Sequence, residues 1–265
     1  MSESALAAAW ASLRARGRTA LIPYLTAGHP DRARSLAAIR AAAEHADLVE
    51  VGVAFSDPLA DGPTIQASSF EALRGGMTLP RTLELVAEAR LAVPVIVFSY
   101  LNPVLRYGVD RFLRDAAAAG AAGLLLTDLP AGGDPAVEDA VRRSPLDLIR
   151  LVAPTTTGPR LRDVAEQAEG FLYLVARLGV TGASASLAED LPAYISRVRA
   201  VSALPLALGF GISTPQQAAA AARLADGVVV GSALVDRLSR AGPTAAGLML
   251  AELRKAIDQV DRSRT

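Results

Sequence analysis

Short apolar runs alternate along the chain with longer runs in which alanine, leucine and arginine recur at helical spacing. The short runs are nearly continuous in apolar residues, which is typical of parallel strands that are buried on both faces. About eight strands are predicted, over Ala20–Thr26, Asp47–Val51, Pro94–Tyr100, Gly123–Thr127, Leu146–Val152, Phe171–Ala176, Pro205–Gly209 and Gly227–Val230.

Helices are predicted between these strands, over Arg32–Glu44, Leu79–Leu91, Val109–Ala119, Asp134–Arg143, Pro159–Ala168, Leu187–Val201 and Pro215–Leu224. An N-terminal amphipathic helix is predicted before the first strand, and an extra helix, Thr64–Arg74, after the second. Repeated βα units of roughly 30 residues indicate a parallel sheet, and eight of them favour closure into an α/β barrel of the (β/α)8 TIM type. Because Pro and Gly are spread through the loops, residues 1–265 are predicted to form a single domain.

Composition narrows the classes of partner and chemistry. The chain has 27 basic and 27 acidic residues, which argues against nucleic acid as the main partner. No apolar run reaches the roughly 18 residues of a membrane helix, and the N-terminus lacks a signal-peptide pattern. No membrane contact and a cytoplasmic location are therefore expected.

Residue types that build metal sites and covalent intermediates are scarce. The chain contains no cysteine, and its two histidines, His29 and His45, cannot form a metal cluster by themselves. His29 is expected in a loop and His45 near the surface at a helix end. The single lysine, Lys255, falls in the C-terminal helix, which disfavours a Schiff-base mechanism.

Glycine-rich turns follow the last three predicted strands, as GVTG, GFGIST and VGSAL. Barrels often bind phosphate there, because small residues let backbone amides and a helix N-terminus approach an anion. The candidate phosphate ligands are Gly182, Gly211, Gly231 and Ser232. The alternative is that these glycines only allow tight turns between strand and helix.

Three carboxylates stand in or just after the second strand, in the stretch LVEVGVAFSDPLADGP. Glu50 lies within the apolar strand, where a charged carboxylate needs a partner or becomes neutral. This placement favours a general acid or base with a raised pKa, and a structural glutamate is the alternative. Asp57 and Asp61 follow in turn-forming contexts, and Asp61 is also a candidate acceptor for a hydrogen-bond donor on a substrate.

Tyrosines near the strand ends are candidates for an apolar pocket. Tyr173 on strand six is predicted to contact Glu50 or a ligand if its side chain faces the barrel interior, since a buried hydroxyl needs a partner. Core packing is the alternative for this residue. Tyr24 and Tyr100, at the ends of strands one and three, are predicted to line the pocket.

Taken in order, these motifs resemble those of the tryptophan synthase α chain family. The segments that carry the resemblance span almost the full length: IPYLTAGHPD, VEVGVAFSDPLADGPTIQ, TDLP, LYLVARLGVTG, GFGIS and VVVGSALV. The resemblance implies a TIM barrel and a retro-aldol cleavage of indole-3-glycerol phosphate to indole and glyceraldehyde 3-phosphate. It also implies no cofactor or metal in this chain, and a β chain as partner in an αββα heterotetramer, with pyridoxal phosphate in the β chain.

The resemblance also implies roles for single residues. Glu50 would act as acid and base at the indole carbon and the substrate hydroxyl, while Asp61 would hold the indole N–H and stabilise positive charge there. The remaining implied contacts are Tyr173 near the glutamate, Tyr24 and Phe210 in the apolar pocket, Thr181 in a closing loop, and Gly182, Gly211, Gly231 and Ser232 at the phosphate.

The chain departs from the family's usual residues at Ala54, Ala176 and Leu178, positions that concern docking and loop closure. These departures leave two alternatives: a stand-alone lyase that releases free indole, and a weakly catalytic subunit that activates the β chain. A phosphosugar isomerase is a further alternative, because a phosphate site does not identify the rest of a ligand.

Overall fold

Eight parallel strands pair in chain order, and the last pairs with the first, so that the sheet closes into a barrel. The computed structural model describes residues 4–175, 191–209 and 211–260. The strands are β1 (Ala20–Thr26), β2 (Val49–Gly52), β3 (Val95–Ser99), β4 (Ala121–Leu126), β5 (Asp147–Val152), β6 (Leu172–Val175), β7 (Leu206–Gly209) and β8 (Gly227–Val230). The predicted (β/α)8 TIM barrel is confirmed, with some strand ends displaced by one or two residues.

Helices surround the barrel and include both the N-terminal helix and the extra helix after β2. In chain order they are α1 (Ala5–Ala15), α2 (Arg32–Ala43), α3 (Pro63–Arg74), α4 (Leu79–Ala89), α5 (Leu101–Tyr107), α6 (Val109–Ala118), α7 (Pro135–Arg142), α8 (Gly158–Glu166), α9 (Leu191–Arg199), α10 (Pro215–Ala222) and α11 (Ser232–Asp258). In the described part of the chain, no helix is long and apolar enough to cross a membrane.

One of these helices, α5, was not predicted. It has only seven residues and carries Pro103 in its first turn, where proline is tolerated because the missing N–H has no partner in the helix. So short a segment lacks the repeated apolar spacing by which longer helices are recognised.

Successive strand residues point alternately into the barrel and towards the helices. On β1, Ile22 belongs to the cluster that fills the barrel, while Leu21 and Leu25 pack in the outer cluster with the helices. All seven residues of this strand are buried. Burial on both faces explains why the strand sequences are apolar throughout.

The helix α1 fills the amino-terminal end of the barrel. Its buried residues Leu6, Trp10 and Leu13 join the interior cluster, and the Trp10 ring lies 5.6 Å from that of Phe171, between centroids. Apolar side chains of α1 and of the strands therefore pack together at this end of the barrel interior.

The loop after β1 is attached to two helices through His29. This residue lies in a loop, as expected, but it is only 3% exposed. Its Nε2 lies 2.7 Å from Ser239 Oγ on α11, and its Nδ1 lies 2.9 Å from Glu71 Oε2 on α3. The ring therefore connects the helix that follows Asp61 to the helix that begins at Ser232.

A buried ionic network joins α11 to the starts of β1 and β2. Asp47 accepts from Arg254 Nη1 and from Arg18 Nε, each at 2.9 Å, and from the backbone N–H of Leu21. Arg254 is 7% exposed and also donates to the carbonyl of Thr19. Asp258 also pairs with both arginines, at 2.6 Å from Arg254 Nη2 and 3.2 Å from Arg18 Nη1. Removal of Asp47 therefore leaves the arginines one carboxylate, but it removes an acceptor of Arg254 Nη1 and of the Leu21 N–H.

We expect the substitution Asp47→Ala to lower the free energy of unfolding by about 1.5–3 kcal/mol, the cost of losing buried hydrogen bonds to a charged group while Arg254 keeps Asp258. Chemical denaturation followed by circular dichroism measures this change. Asp139→Ala is the control, because Asp139 pairs with Arg142 in an exposed contact and such contacts contribute at most about 1 kcal/mol. Equal effects of the two substitutions would contradict the role given to the network.

Candidate active site

A cleft opens at the carboxyl-terminal end of the barrel, where barrel enzymes carry their sites. Its lining comes from strand ends, from the loop after β2 with the start of α3, and from the turns after β7 and β8. The lining residues are Tyr24, Phe98, Tyr173, Asp61, Gly62, Ile65, Gly211, Gly231 and Ser232. Six of the residues predicted from the sequence are therefore brought together here, whereas Thr181, Gly182 and Phe210 lie outside the described residues.

Glu50 lies next to this cleft, on the strand where the sequence placed it. It pairs in register with Tyr24 of β1 and Ile96 of β3, and it is fully buried. Neither of its carboxyl oxygens has a hydrogen-bond partner in the described part of the chain. Burial raises the pKa of Glu50 to about 8, so the group carries a proton at neutral pH.

The electrostatic coupling of Glu50 extends to two tyrosines that line the cleft. Burial is the largest cause of the raised pKa values of both Tyr24 and Tyr173. The charge of Asp61 raises the pKa of Tyr24 more than the charge of Glu50 does, whereas Glu50 is the larger charge effect on Tyr173. Thr26 Oγ1 donates to the Tyr24 hydroxyl at 3.5 Å, and the Phe98 ring meets the Tyr24 ring edge-on at 5.2 Å. Both phenols therefore remain neutral hydrogen-bond donors beside the glutamate.

Two glycines make room for these tyrosine rings. A Cβ atom on Gly52 would lie 2.1 Å from the Tyr24 hydroxyl oxygen, and one on Gly209 would lie 2.4 Å from that of Tyr173. Each glycine stands two residues beyond the register partner of its tyrosine, on the neighbouring strand. The sequence analysis missed both positions, although an inward-facing glycine at the end of a barrel strand is a usable signal.

Asp61 reaches the cleft from the loop after β2. The group is half-buried, and desolvation raises its pKa to about 6, opposed by a hydrogen bond from Tyr100 that lowers it. Gln66 of α3 donates to the Asp61 carbonyl at 2.8 Å, which secures the loop end. At neutral pH Asp61 is therefore mostly ionised while Glu50 is protonated.

The opposite side of the cleft is built from the turns after β7 and β8. Gly211 has a φ of +86°, a left-handed backbone conformation that residues with a Cβ atom rarely adopt. Gly231 directly precedes α11, and Ser232 is the first residue of that helix. The free N–H groups of its first turn favour an anion at this place.

Two further carboxylates in the loops after the strands, those of Asp57 and Asp128, make hydrogen bonds within or between loops. Asp57 accepts from the neighbouring Ser56 hydroxyl and is exposed. Asp128, after β4, accepts from the backbone N–H of Leu101 at 2.6 Å and so caps the N-terminus of α5. Across the residues that the structure describes, no group of three or more histidine, cysteine or acidic side chains could hold a metal ion.

Ala54, where the resembled family has a different residue, is 7% exposed and belongs to the outer apolar cluster of the barrel. Its small side chain is therefore part of the packing between β2 and the helices. Ala176 and Leu178 lie outside the described residues.

Comparison with known proteins agrees with this geometry. Residues 10–261 match the family model described as the tryptophan synthase alpha chain. The tryptophan synthase alpha chain of Acidiphilium cryptum is 49% identical over 89% of this chain and 87% of its own length. That of Gluconacetobacter diazotrophicus is 46% identical over 99% of this chain and 100% of its own. A chain in a structure of Mycobacterium tuberculosis tryptophan synthase superposes with a TM-score of 0.88 at 42% identity, covering 97% of this chain and 99% of that one. The chain therefore belongs to the tryptophan synthase alpha chain family.

Proposed function

We propose that this chain is a carbon–carbon lyase that cleaves indole-3-glycerol phosphate to indole and glyceraldehyde 3-phosphate in tryptophan biosynthesis. The observation that carries this proposal is the presence of two carboxyl groups of different acidity, one fully buried and one half-buried, at one cleft. Family membership supports the identity of the substrate.

The cleft offers separate places for the two ends of this substrate. The phosphate would bind at Gly211, Gly231 and Ser232, where the N-terminus of α11 attracts an anion. The indole ring would lie among the aromatic side chains of Tyr24, Phe98 and Tyr173. We extend the phosphate site to Gly182 and the pocket to Thr181 and Phe210 on the basis of the resemblance alone.

The protons balance if one carboxyl group both donates and accepts. Protonated Glu50 gives its proton to the indole carbon that carries the glycerol chain, and the carboxylate so formed takes the proton of the adjacent hydroxyl. The electrons of that O–H bond form the aldehyde carbonyl as the carbon–carbon bond breaks, and its electron pair restores the indole ring. Glu50 ends the cycle protonated, as it began.

Asp61 has the complementary role in this scheme. Protonation of the ring carbon puts positive charge on the indole nitrogen, and an ionised carboxylate that accepts from the N–H stabilises that charge. The charge forms during the reaction, so this contact is stronger in the transition state than in the bound substrate. The loop position of Asp61 leaves it enough solvent to remain ionised when Glu50 is not.

We infer that the chain needs no cofactor or metal of its own for this reaction. The indole ring serves as the electron acceptor, so that proton transfer and charge stabilisation are the remaining requirements. Glu50 and Asp61 supply both.

We further propose a β chain as partner, with pyridoxal phosphate held in that chain and an αββα heterotetramer as the assembly. The name alpha chain, shared by the relatives, supports a second chain. Two exposed apolar residues lie after neighbouring strands. Leu59, in the loop after β2, is 92% exposed, and Leu105, on α5 after β3, is 47% exposed. The relatives do not favour a stand-alone lyase, and the intact carboxyl pair argues against a weakly catalytic subunit.

The substitution Glu50→Gln is expected to lower kcat by about 10²- to 10⁴-fold, because the amide cannot transfer protons. Stability should change little, since protonated glutamic acid and glutamine are both neutral and similar in shape. Release of indole, measured with the purified protein, tests this result. Glu84→Gln is the control, because Glu84 is exposed on α4. An active and folded Glu50→Gln variant would refute the assigned role.

The rate is expected to depend on pH in a bell shape. Below pH about 6 the protonation of Asp61 removes charge stabilisation, and above pH about 8 the ionisation of Glu50 removes the proton donor. The plot of kcat/KM against pH measures both limbs. The substrate phosphate also titrates near pH 6 (roughly, by analogy with phosphorylated side chains), so carbon-13 NMR of the labelled carboxyl groups assigns the acid limb. Activity that keeps rising above pH 9 would contradict a protonated Glu50.

Cleavage is expected to increase on addition of the β chain, by roughly the 5- to 150-fold that is typical of coupling between sites. Indole release with and without the β chain measures the effect. A high rate that the β chain leaves unchanged would select the stand-alone lyase instead. Stimulation of the β chain without detectable cleavage would select the activating subunit.

A further inference from the structure

Tyr100 contacts both ends of the loop that carries Asp61. It follows β3 directly and is 4% exposed. Its hydroxyl accepts from the backbone N–H of Ala60 at 2.9 Å, and its ring packs on that of Phe55, with 5.1 Å between centroids. One side chain on the barrel therefore holds the start and the end of a loop whose intervening residue Leu59 is almost fully exposed.

The backbone of Tyr100 is itself firmly held. It is the N-cap residue of α5, and the next N–H, from Leu101, donates to the Asp128 carboxylate of the adjacent strand's loop. The backbone position of Tyr100 is therefore determined by β3, by α5 and by the turn after β4. A side chain whose backbone is fixed in this way can hold a surface loop in a defined position relative to the barrel.

We infer that Tyr100 is a positioning residue for the proposed reaction, which orients the Asp61 carboxylate towards the indole N–H by binding the loop through Ala60 and Phe55. The inference rests on the proposed function of Asp61. The sequence analysis expected Tyr100 to line the pocket, but it is not among the described residues that line the cleft. Its role is to act through Asp61.

The electrostatics of Asp61 agree with this role. The phenols coupled to its charge are Tyr24 on β1, Tyr100 directly after β3 and Tyr173 on β6. The pKa of Tyr100 is raised to about 12, so its hydroxyl keeps its proton over the working range. A hydrogen bond from this hydroxyl lowers the pKa of Asp61 against the larger effect of burial.

The substitution Tyr100→Phe tests the inference, because it removes the hydroxyl and leaves the ring on Phe55. We expect the pKa of Asp61 to rise and the acid limb of the kcat/KM profile to move to higher pH by the same amount. At pH 7 we expect kcat/KM to fall by about 10-fold or more, the effect of one hydrogen bond to a charged group. Carbon-13 NMR of the Asp61 carboxyl group, assigned with an Asp61→Asn variant, follows the titration without substrate.

Tyr107→Phe is the matched control. The Tyr107 hydroxyl donates to Asp115 at 2.6 Å, so this variant loses a phenol–carboxylate bond of the same kind, from α5 to α6. It should leave both the titration of Asp61 and the pH profile unchanged. A loss of stability in Tyr100→Phe with an unmoved Asp61 titration would show a merely structural role and overturn the inference.

The two proposals fail in distinguishable ways. If the wild-type protein does not cleave indole-3-glycerol phosphate with or without the β chain, the proposed function is wrong, and the positioning role of Tyr100 is wrong as well. If the wild-type protein is active and Tyr100→Phe keeps its full rate and pH profile, only the inference about Tyr100 is wrong.

Discussion

The site depends on the burial of one carboxyl group that has no hydrogen-bond partner among the residues that the structure describes. Glu50 points into an apolar barrel, and ionising it there would cost far more than ionising it in water. The group therefore holds a proton at neutral pH, which suits the role of proton donor that we propose for it. That state requires a dry interior, and α1 supplies it by filling the far end of the barrel with Trp10 against Phe171.

The second carboxyl group differs because it stands on a loop rather than on a strand. Asp61 remains half-buried, so desolvation raises its pKa less than that of Glu50. In the reaction that we propose, this difference in pKa assigns proton transfer to Glu50 and charge stabilisation to Asp61. A strand followed by a short loop thus places two carboxyl groups, Glu50 and Asp61, in different protonation states at neutral pH.

The loop of Asp61 belongs to two surfaces at once. Its inner side is held by Tyr100, and its outer side presents Leu59, two residues before Asp61. A partner that bound Leu59 would act on the segment that Tyr100 positions, so docking and catalysis would be coupled through adjacent residues of one loop. This short connection gives a physical basis for the partner dependence that we propose.

The sequence by itself determined the barrel, the strand that carries Glu50 and the glycine-containing turns after β7 and β8. Burial on both strand faces imposes continuous apolar runs, and a lone acid in such a run stands out. The sequence did not show which side chains occupy the space beside Gly52 and Gly209, nor the helix α5, nor the contacts of Tyr100 with the Asp61 loop. The contacts of Gly52 with Tyr24, of Gly209 with Tyr173 and of Tyr100 with the Asp61 loop all join residues that are distant in sequence. The cap of α5 likewise joins two neighbouring loops. These contacts exist only once the strands are paired in register. Thr181, Gly182 and Phe210 remain predictions, because they lie outside the described residues. Local patterning decides which residues are buried, whereas tertiary structure decides which of them meet.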